Sequence, residues 1–248
     1  MMESILREDP RIDWNASDNE MTWVKDAVDA VGTLLRDGLR DAIGTVRLLV
    51  SGGSTPGPVY QGLASVDLDW SRVVIGLVDD RDAPADDCGS NARTIREQLL
   101  RDRAAAAAFR PLREMAQTLD GAIALANQRW REATDQPIVA ALLGMGDDGH
   151  TASLFPGASN LDAGLSANQP YVHIDASGCE VAGKYPQRMS LTPFGLAQAG
   201  QRVLLIRGSK KRETLCAALE RGPVAAMPIR VAWQAPLAPL HVYWCAGS

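Results

Sequence analysis

Between Leu143 and Gly157 the chain sets Gly144, Gly146 and Gly149 around two carboxylates, Asp147 and Asp148, and one imidazole, His150. Asp148 and His150 are two residues apart on a turn the glycines can bend, so the carboxylate can orient or charge-stabilise the ring. An unperturbed imidazole titrates near ~6.5, which makes a loop histidine a competent general base at neutral pH, an effect worth roughly 10²- to 10⁴-fold in rate. The apolar run Ile138 to Leu143 just upstream reads as a buried strand, so the glycines start where that strand ends. Ligands of open α/β sheets bind at that edge. Gly144, Gly146 and Gly149 also satisfy G-x-G-x-x-G. A dinucleotide site is not expected from them, because no acidic residue ends a following strand about twenty residues on and no long helix follows the turn.

Three further stretches can complete a site. Ser51-Gly52-Gly53-Ser54-Thr55-Pro56 follows the apolar run Val46 to Val50 and precedes a helical pattern, so backbone N–H groups and hydroxyls there can meet an anion such as phosphate. It is not a Walker A loop, and a plain strand-to-helix turn uses the same residue types. Asp79-Asp80-Arg81 ends the run Val73 to Val78, where Arg81 can clamp a phosphate or carboxylate. Ser90 is the expected N-cap of the next helix, with Asp86 and Asp87 in the solvated turn before it. Arg207 to Arg212 forms a basic turn after the strand Val203 to Ile206. No G-x-S-x-G elbow occurs, and neither Ser54 nor Ser153 has a base nearby in sequence, so attack by activated water fits better than a covalent serine. A glycosidase pairing of Asp80 with Asp148 stays open. His173 and His241, in strand-like segments, are expected to be structural.

These loops need a scaffold. Val24, Val28, Val31, Leu35 and Leu39 form the apolar stripe of a helix over Thr22 to Ala42. Strands are expected at Val46 to Val50, Val73 to Val78, Ile138 to Leu143, Tyr171 to Ile174, Val203 to Ile206 and Leu240 to Trp244. Helices are expected at Pro58 to Ala64, Asn91 to Arg103, Met115 to Thr134 and Lys211 to Glu220. Near-continuous apolar strands alternating with helices predict an α/β fold with a doubly wound, mostly parallel, Rossmann-like sheet and helices on both faces. With 46% hydrophobic residues the 248-residue chain has enough core for one domain spanning 1–248.

A net charge of -5 argues against a nucleic-acid partner. No apolar run approaches bilayer-spanning length and the N-terminus carries no export signal, so a cytoplasmic protein with no membrane partner is expected. Cys88, Cys179, Cys216 and Cys245 are scattered, without metal-ligand spacing; they are expected to be reduced, with no metal bound. The oligomeric state is left open.

Taken in order, Ser51 to Pro56, Asp79 to Arg81 with Ser90-Asn91, Gly144 to Gly157, Arg188 to Thr192, and Gly208 with Lys211 resemble the 6-phosphogluconolactonase family. The resemblance runs from about Val46 to about Glu220, and Asp148 to Gly157 is its most specific part. It implies a Rossmann-like fold shared with glucosamine-6-phosphate deaminases, no nucleotide cofactor, and hydrolysis of the sugar phosphate lactone 6-phospho-D-glucono-1,5-lactone in the oxidative pentose phosphate pathway. It implies His150 as the base that activates water and Asp148 as its partner. Gly52, Gly53, Ser54, Thr55, Asp80, Arg81, Arg188 and Lys211 would contact substrate or phosphate. The deaminases carry a catalytic glutamate five residues after the histidine, where this chain has Phe155, so an amino-sugar-phosphate deaminase or isomerase is the lesser alternative. A noncatalytic sugar-phosphate sensor is another, without a helix-turn-helix module to support it. The family's usual Asp-Glu-Arg is Asp79-Asp80-Arg81 here, and its Thr-Leu-Pro stretch is Ser190-Leu191-Thr192-Pro193-Phe194, which opens the role of Asp80 to question.

Overall fold

The structure, a computed structural model, describes residues 2–84, 86–113, 118–234 and 239–247. Its main sheet contains seven parallel strands: β1 (Ile12–Ser17), β2 (Val46–Val50), β3 (Val73–Leu77), β5 (Ala108–Arg110), β6 (Ile138–Leu143), β9 (Ala199–Arg207) and β10 (Leu240–Cys245). They lie in the order β1-β10-β9-β6-β2-β3-β5. From β2 the chain winds outward through β3 to β5; from β6 it winds the other way through β9 to β10. The reversal falls between β2 and β6, so their C-terminal ends open the crevice where α/β sheets take ligands. Every residue of β2 is buried, as expected of a strand covered on both faces.

The helices are α1 (Met2–Glu8), α2 (Glu20–Asp41), α3 (Gly57–Ala64), α4 (Asn91–Gln98), α5 (Leu119–Glu132), α6 (Leu161–Ser166), α7 (Pro193–Leu196) and α8 (Ser209–Leu219). In α2, Asn19 caps the N-terminus by accepting the Thr22 N–H. The fully buried face of α2 is Trp23, Ala27, Val31, Gly32, Leu35 and Leu39; Val24 and Val28 lie at its margin, where they pack without being sealed. The expected helix Met115 to Thr134 is realised as α5; Met115, Ala116 and Gln117 lie outside the described residues. The expected helix Asn91 to Arg103 stops at Gln98, and a separate 3₁₀ turn covers Asp102–Ala106.

A second, antiparallel sheet that the sequence patterning did not reveal joins β4 (Asp79–Arg81) to β8 (Gln187–Leu191) and β8 to β7 (Tyr171–Asp175). It leaves the C-terminal end of β3 and forms a wall beside the crevice. Its register pairs Arg81 with Arg188 and Asp79 with Ser190. His173 and His241 both hydrogen-bond away from the crevice, His173 to Gln187 and His241 to Asp13 and Gln201. No helix among the described residues is long and apolar enough to cross a membrane.

Candidate active site

The turn after β6 is closed by its own backbone. Gly146 N–H donates to the His150 carbonyl at 2.9 Å, and Gly149 N–H donates to the Gly146 carbonyl at 3.1 Å. Gly149 has φ of 79°, a conformation that costs little only without a Cβ. A Cβ on Gly146 would lie 2.1 Å from His150 Nδ1 and 2.3 Å from Asp148 Oδ1, so only glycine leaves room for the pair. His150 Nδ1 lies 2.6 Å from Asp148 Oδ1, and the His150 amide donates to the same oxygen at 3.2 Å. Burial works to raise the Asp148 pKa, but the His150 ring and amide outweigh it and hold the carboxyl below its ordinary range. An ionised carboxylate only accepts, so the network assigns the proton to Nδ1 and leaves Nε2 with the lone pair. The ring also rests on Phe155, with centroids 4.4 Å apart. Two residues after His150, Ala152 is held at φ of 49°, a strained conformation for a residue with a Cβ.

Across the crevice, Asp79 and Arg81 face the cleft from alternate positions of β4. Asp79 Oδ2 accepts the Ser153 hydroxyl at 2.5 Å, and Asp79 Oδ1 accepts Asn91 Nδ2 at 3.1 Å. Arg81 Nη1 donates to the Gly89 carbonyl at 2.8 Å and to Asn91 Oδ1, while its Nε is buried without a partner among the described residues. Arg81 therefore has donor capacity left for a ligand.

Asp80 corrects the expectation of a substrate contact. Its side chain is only 1% exposed and points the opposite way from its neighbours, as strand alternation requires. Asp80 Oδ1 accepts the Asn91 and Arg81 amides at 2.7 and 2.8 Å, and Oδ2 accepts the Ser90 hydroxyl and the Ala92 amide. Burial pushes its pKa up to about 6 against the pull of the Asn91 and Arg81 amides. It is an interior acceptor that, with Ser90, caps α4, so it has no place in the cleft or in a glycosidase pair with Asp148.

The cleft is completed by the Ser51 to Thr55 loop and the start of α8. Tyr60 O–H donates to the Ser51 carbonyl at 2.6 Å and anchors the loop, and Gly53 adopts φ of 97°. Gly52 packs against Asn91 so closely that a Cβ would meet Asn91 Oδ1 at 1.9 Å. Gly52, Gly53, Ser54, Thr55, Arg81, His150, Arg188 and Lys211 all line one open cleft of about 290 Å³. Lys211 Nζ is held 2.8 Å from Asp147 Oδ1 at the cleft edge. Arg188 is mostly committed to the protein: Nε and Nη2 donate to the Tyr185 and Ala182 carbonyls, and Nη1 reaches Ser153 Oγ at 3.5 Å. It brings positive field and fixes the wall, with less donor capacity for a ligand than Arg81.

Sequence reading missed the partners of two members of this site. Ser153 is sealed against Asp79 and Arg188, partners 74 and 35 residues away. Arg207 lines the cleft and pairs with Glu20, at the start of α2. Their residue types gave a signal, since a buried serine or a guanidinium at a strand end needs partners, but no spacing named those partners. Among the described residues no group of three or more His, Cys, Asp or Glu side chains is placed to hold a metal ion.

Fold and cleft together define a class: a doubly wound α/β protein that sets a carboxylate-held imidazole opposite cationic side chains and a glycine-rich anion loop. The sequence matches the family of glucosamine-6-phosphate isomerases and 6-phosphogluconolactonase over residues 19–243, and the chain belongs to that family. It is 42% identical over 238 residues to 6-phosphogluconolactonase of Xylella fastidiosa, spanning 96% of this chain and 98% of that protein. It is 41% identical over 216 residues to 6-phosphogluconolactonase of Rhizobium meliloti, spanning 87% and 91% of the two. The crystal structure of a 6-phosphogluconolactonase from Shewanella baltica superposes with a TM-score of 0.84 at 31% identity, over 95% of this chain and 98% of that one.

Proposed function

We propose that this chain is a single-domain cytoplasmic enzyme that hydrolyses 6-phospho-D-glucono-1,5-lactone to 6-phosphogluconate in the oxidative pentose phosphate pathway. The observation that carries the reading is the 2.6 Å contact between His150 Nδ1 and Asp148 Oδ1 inside a cleft lined by Arg81 and Lys211. Whole-length relatives with that activity support the substrate. His150 Nε2 takes a proton from water as the hydroxide adds to the lactone carbonyl, and the resulting imidazolium is stabilised by Asp148. The tetrahedral oxyanion is met by donors of the cleft, chiefly Arg81 and loop N–H groups. Collapse breaks the ring C–O bond, and the imidazolium returns its proton to the departing ring oxygen. Lys211 and the Gly52 to Thr55 loop hold the phosphate, with Arg188 adding positive field from within the wall.

This is tested with freshly generated 6-phosphogluconolactone in a coupled assay corrected for spontaneous hydrolysis. The expected result is rapid turnover of the phosphorylated lactone, weaker turnover of unphosphorylated gluconolactone, and no ammonia from glucosamine 6-phosphate. Ammonia release without lactone hydrolysis would overturn the reading.

A further inference from the structure

A second concave site lies between α5 and the face of β2 and β3, and none of its residues lines the catalytic cleft. It consists of two hollows, of about 50 and 270 Å³, that share Arg110 and Arg129 as walls. Sheet register explains the room. Gly76 of β3 stands between Leu49 of β2 and Arg110 of β5, and a Cβ on Gly76 would meet Leu49 Cδ2 at 2.9 Å. Arg47, two residues before Leu49 on the same strand face, adds a third guanidinium to the inner hollow.

Among the described residues neither Arg47 nor Arg110 is paired with a carboxylate. Arg47 is only 9% exposed; its Nε donates to the Gln136 carbonyl at 2.8 Å and its guanidinium lies 4.6 Å above the Trp130 ring. Burial first, and then the charge of Arg110, lower the Arg47 pKa against the pull of Tyr171 and Asp135. Arg110 is half-buried and has no hydrogen-bond or ion-pair partner among the described residues. Glu132 at the outer wall already accepts Gln128 Nε2 at 2.8 Å. Arg47 and Arg110 line the same hollow, and like charges there cost free energy until a dianion bridges them; their planar forks match phosphate. Gln136 Oε1 also borders this space, buried and without a donor. A ligand hydroxyl would supply one.

We propose that this hollow is a second binding site, selective for a small phosphate ester that carries hydroxyl groups. Arg110 and Arg47 take the phosphate, the ester lies along Trp130, and Gln136 accepts from a hydroxyl. The proposal does not depend on the lactonase reading.

Calorimetric titration of glycerol 3-phosphate into the full chain, in low-salt zwitterionic buffer, tests it. Arg110→Gln should bind one molecule fewer than the parent, with melting temperature not lowered, since a repulsive charge has gone, and with cleft activity unchanged. Arg81→Gln, in the cleft, and Arg131→Gln, an exposed charge control on α5, should keep the site that Arg110→Gln loses. n-Propyl phosphate, lacking the hydroxyls, should bind it about 3- to 10-fold more weakly, the loss of one neutral hydrogen bond. Unchanged stoichiometry in Arg110→Gln, an equal loss in Arg131→Gln, or a lowered melting temperature in Arg110→Gln would overturn the proposal. Equal affinity for the two esters would remove the hydroxyl contact.

Discussion

Asp148→Asn is isosteric and keeps the turn, yet it removes the charge that fixes the His150 ring. The contact broken is a 2.6 Å charge-assisted hydrogen bond at a pair whose side chains are about three-quarters buried. Bonds of this kind are worth about 1.5–3 kcal/mol, which converts to a fall in kcat of about 10- to 160-fold. The loss is greater if the new amide presents its N–H₂ to Nδ1, because the ring proton then moves to Nε2 and the base faces the cleft already protonated. Steady-state kinetics on 6-phosphogluconolactone, with spontaneous hydrolysis subtracted, should show the fall in kcat with KM within about threefold, since Asp148 binds no phosphate. Stability gives an independent check. A carboxyl held below its ordinary value of 3.8 stabilises the fold above that value and stops doing so as pH falls through its folded-state pKa. The parent should therefore melt above Asp148→Asn at pH 7, and the gap should narrow as the pH falls below 3.8. Full activity in Asp148→Asn would refute the assignment of Asp148 as the group that holds the base.

Gly146→Ala should fold but lose about tenfold or more in kcat, because its methyl would enter the space of His150 Nδ1 at 2.1 Å; kinetics beside a melting curve would show it. Asp80→Ala should lose about 2–4 kcal/mol in denaturant unfolding, since it strips an N-cap acceptor and strands buried donors. With its folded pKa raised to about 6, the intact Asp80 takes up a proton on folding between that value and 3.8, so the gap between parent and Asp80→Ala should widen from pH 7 to pH 4.5. Ala152→Gly should leave stability unchanged or raise it by up to about 1 kcal/mol, the reverse of the usual cost of Gly for Ala, because φ of 49° suits glycine.

Much of the scaffold was legible because its signals are local. The apolar runs of β2, β3, β6, β9 and β10 each fall within one short stretch, and so does the glycine turn that carries Asp148 and His150. The expected Ser90 cap is realised through the Ala92 amide. The antiparallel wall was not legible: β4 has three residues, and its pairing with β8 joins positions more than a hundred residues apart. Asp80 was misread although the signal existed. Strand alternation alone places it opposite Asp79 and Arg81, so three consecutive charges at a strand end cannot all face one cleft. Ser153 and the Glu20 to Arg207 pair depend on contacts that only the closed fold creates.

The most direct test of the cleft chemistry is kcat for His150→Ala on fresh 6-phosphogluconolactone, measured beside its melting temperature and its affinity for 6-phosphogluconate. Loss of about 100-fold or more in kcat, with folding and product affinity retained, is the expected outcome. A folded His150→Ala protein that hydrolyses the lactone at the parent rate would contradict it.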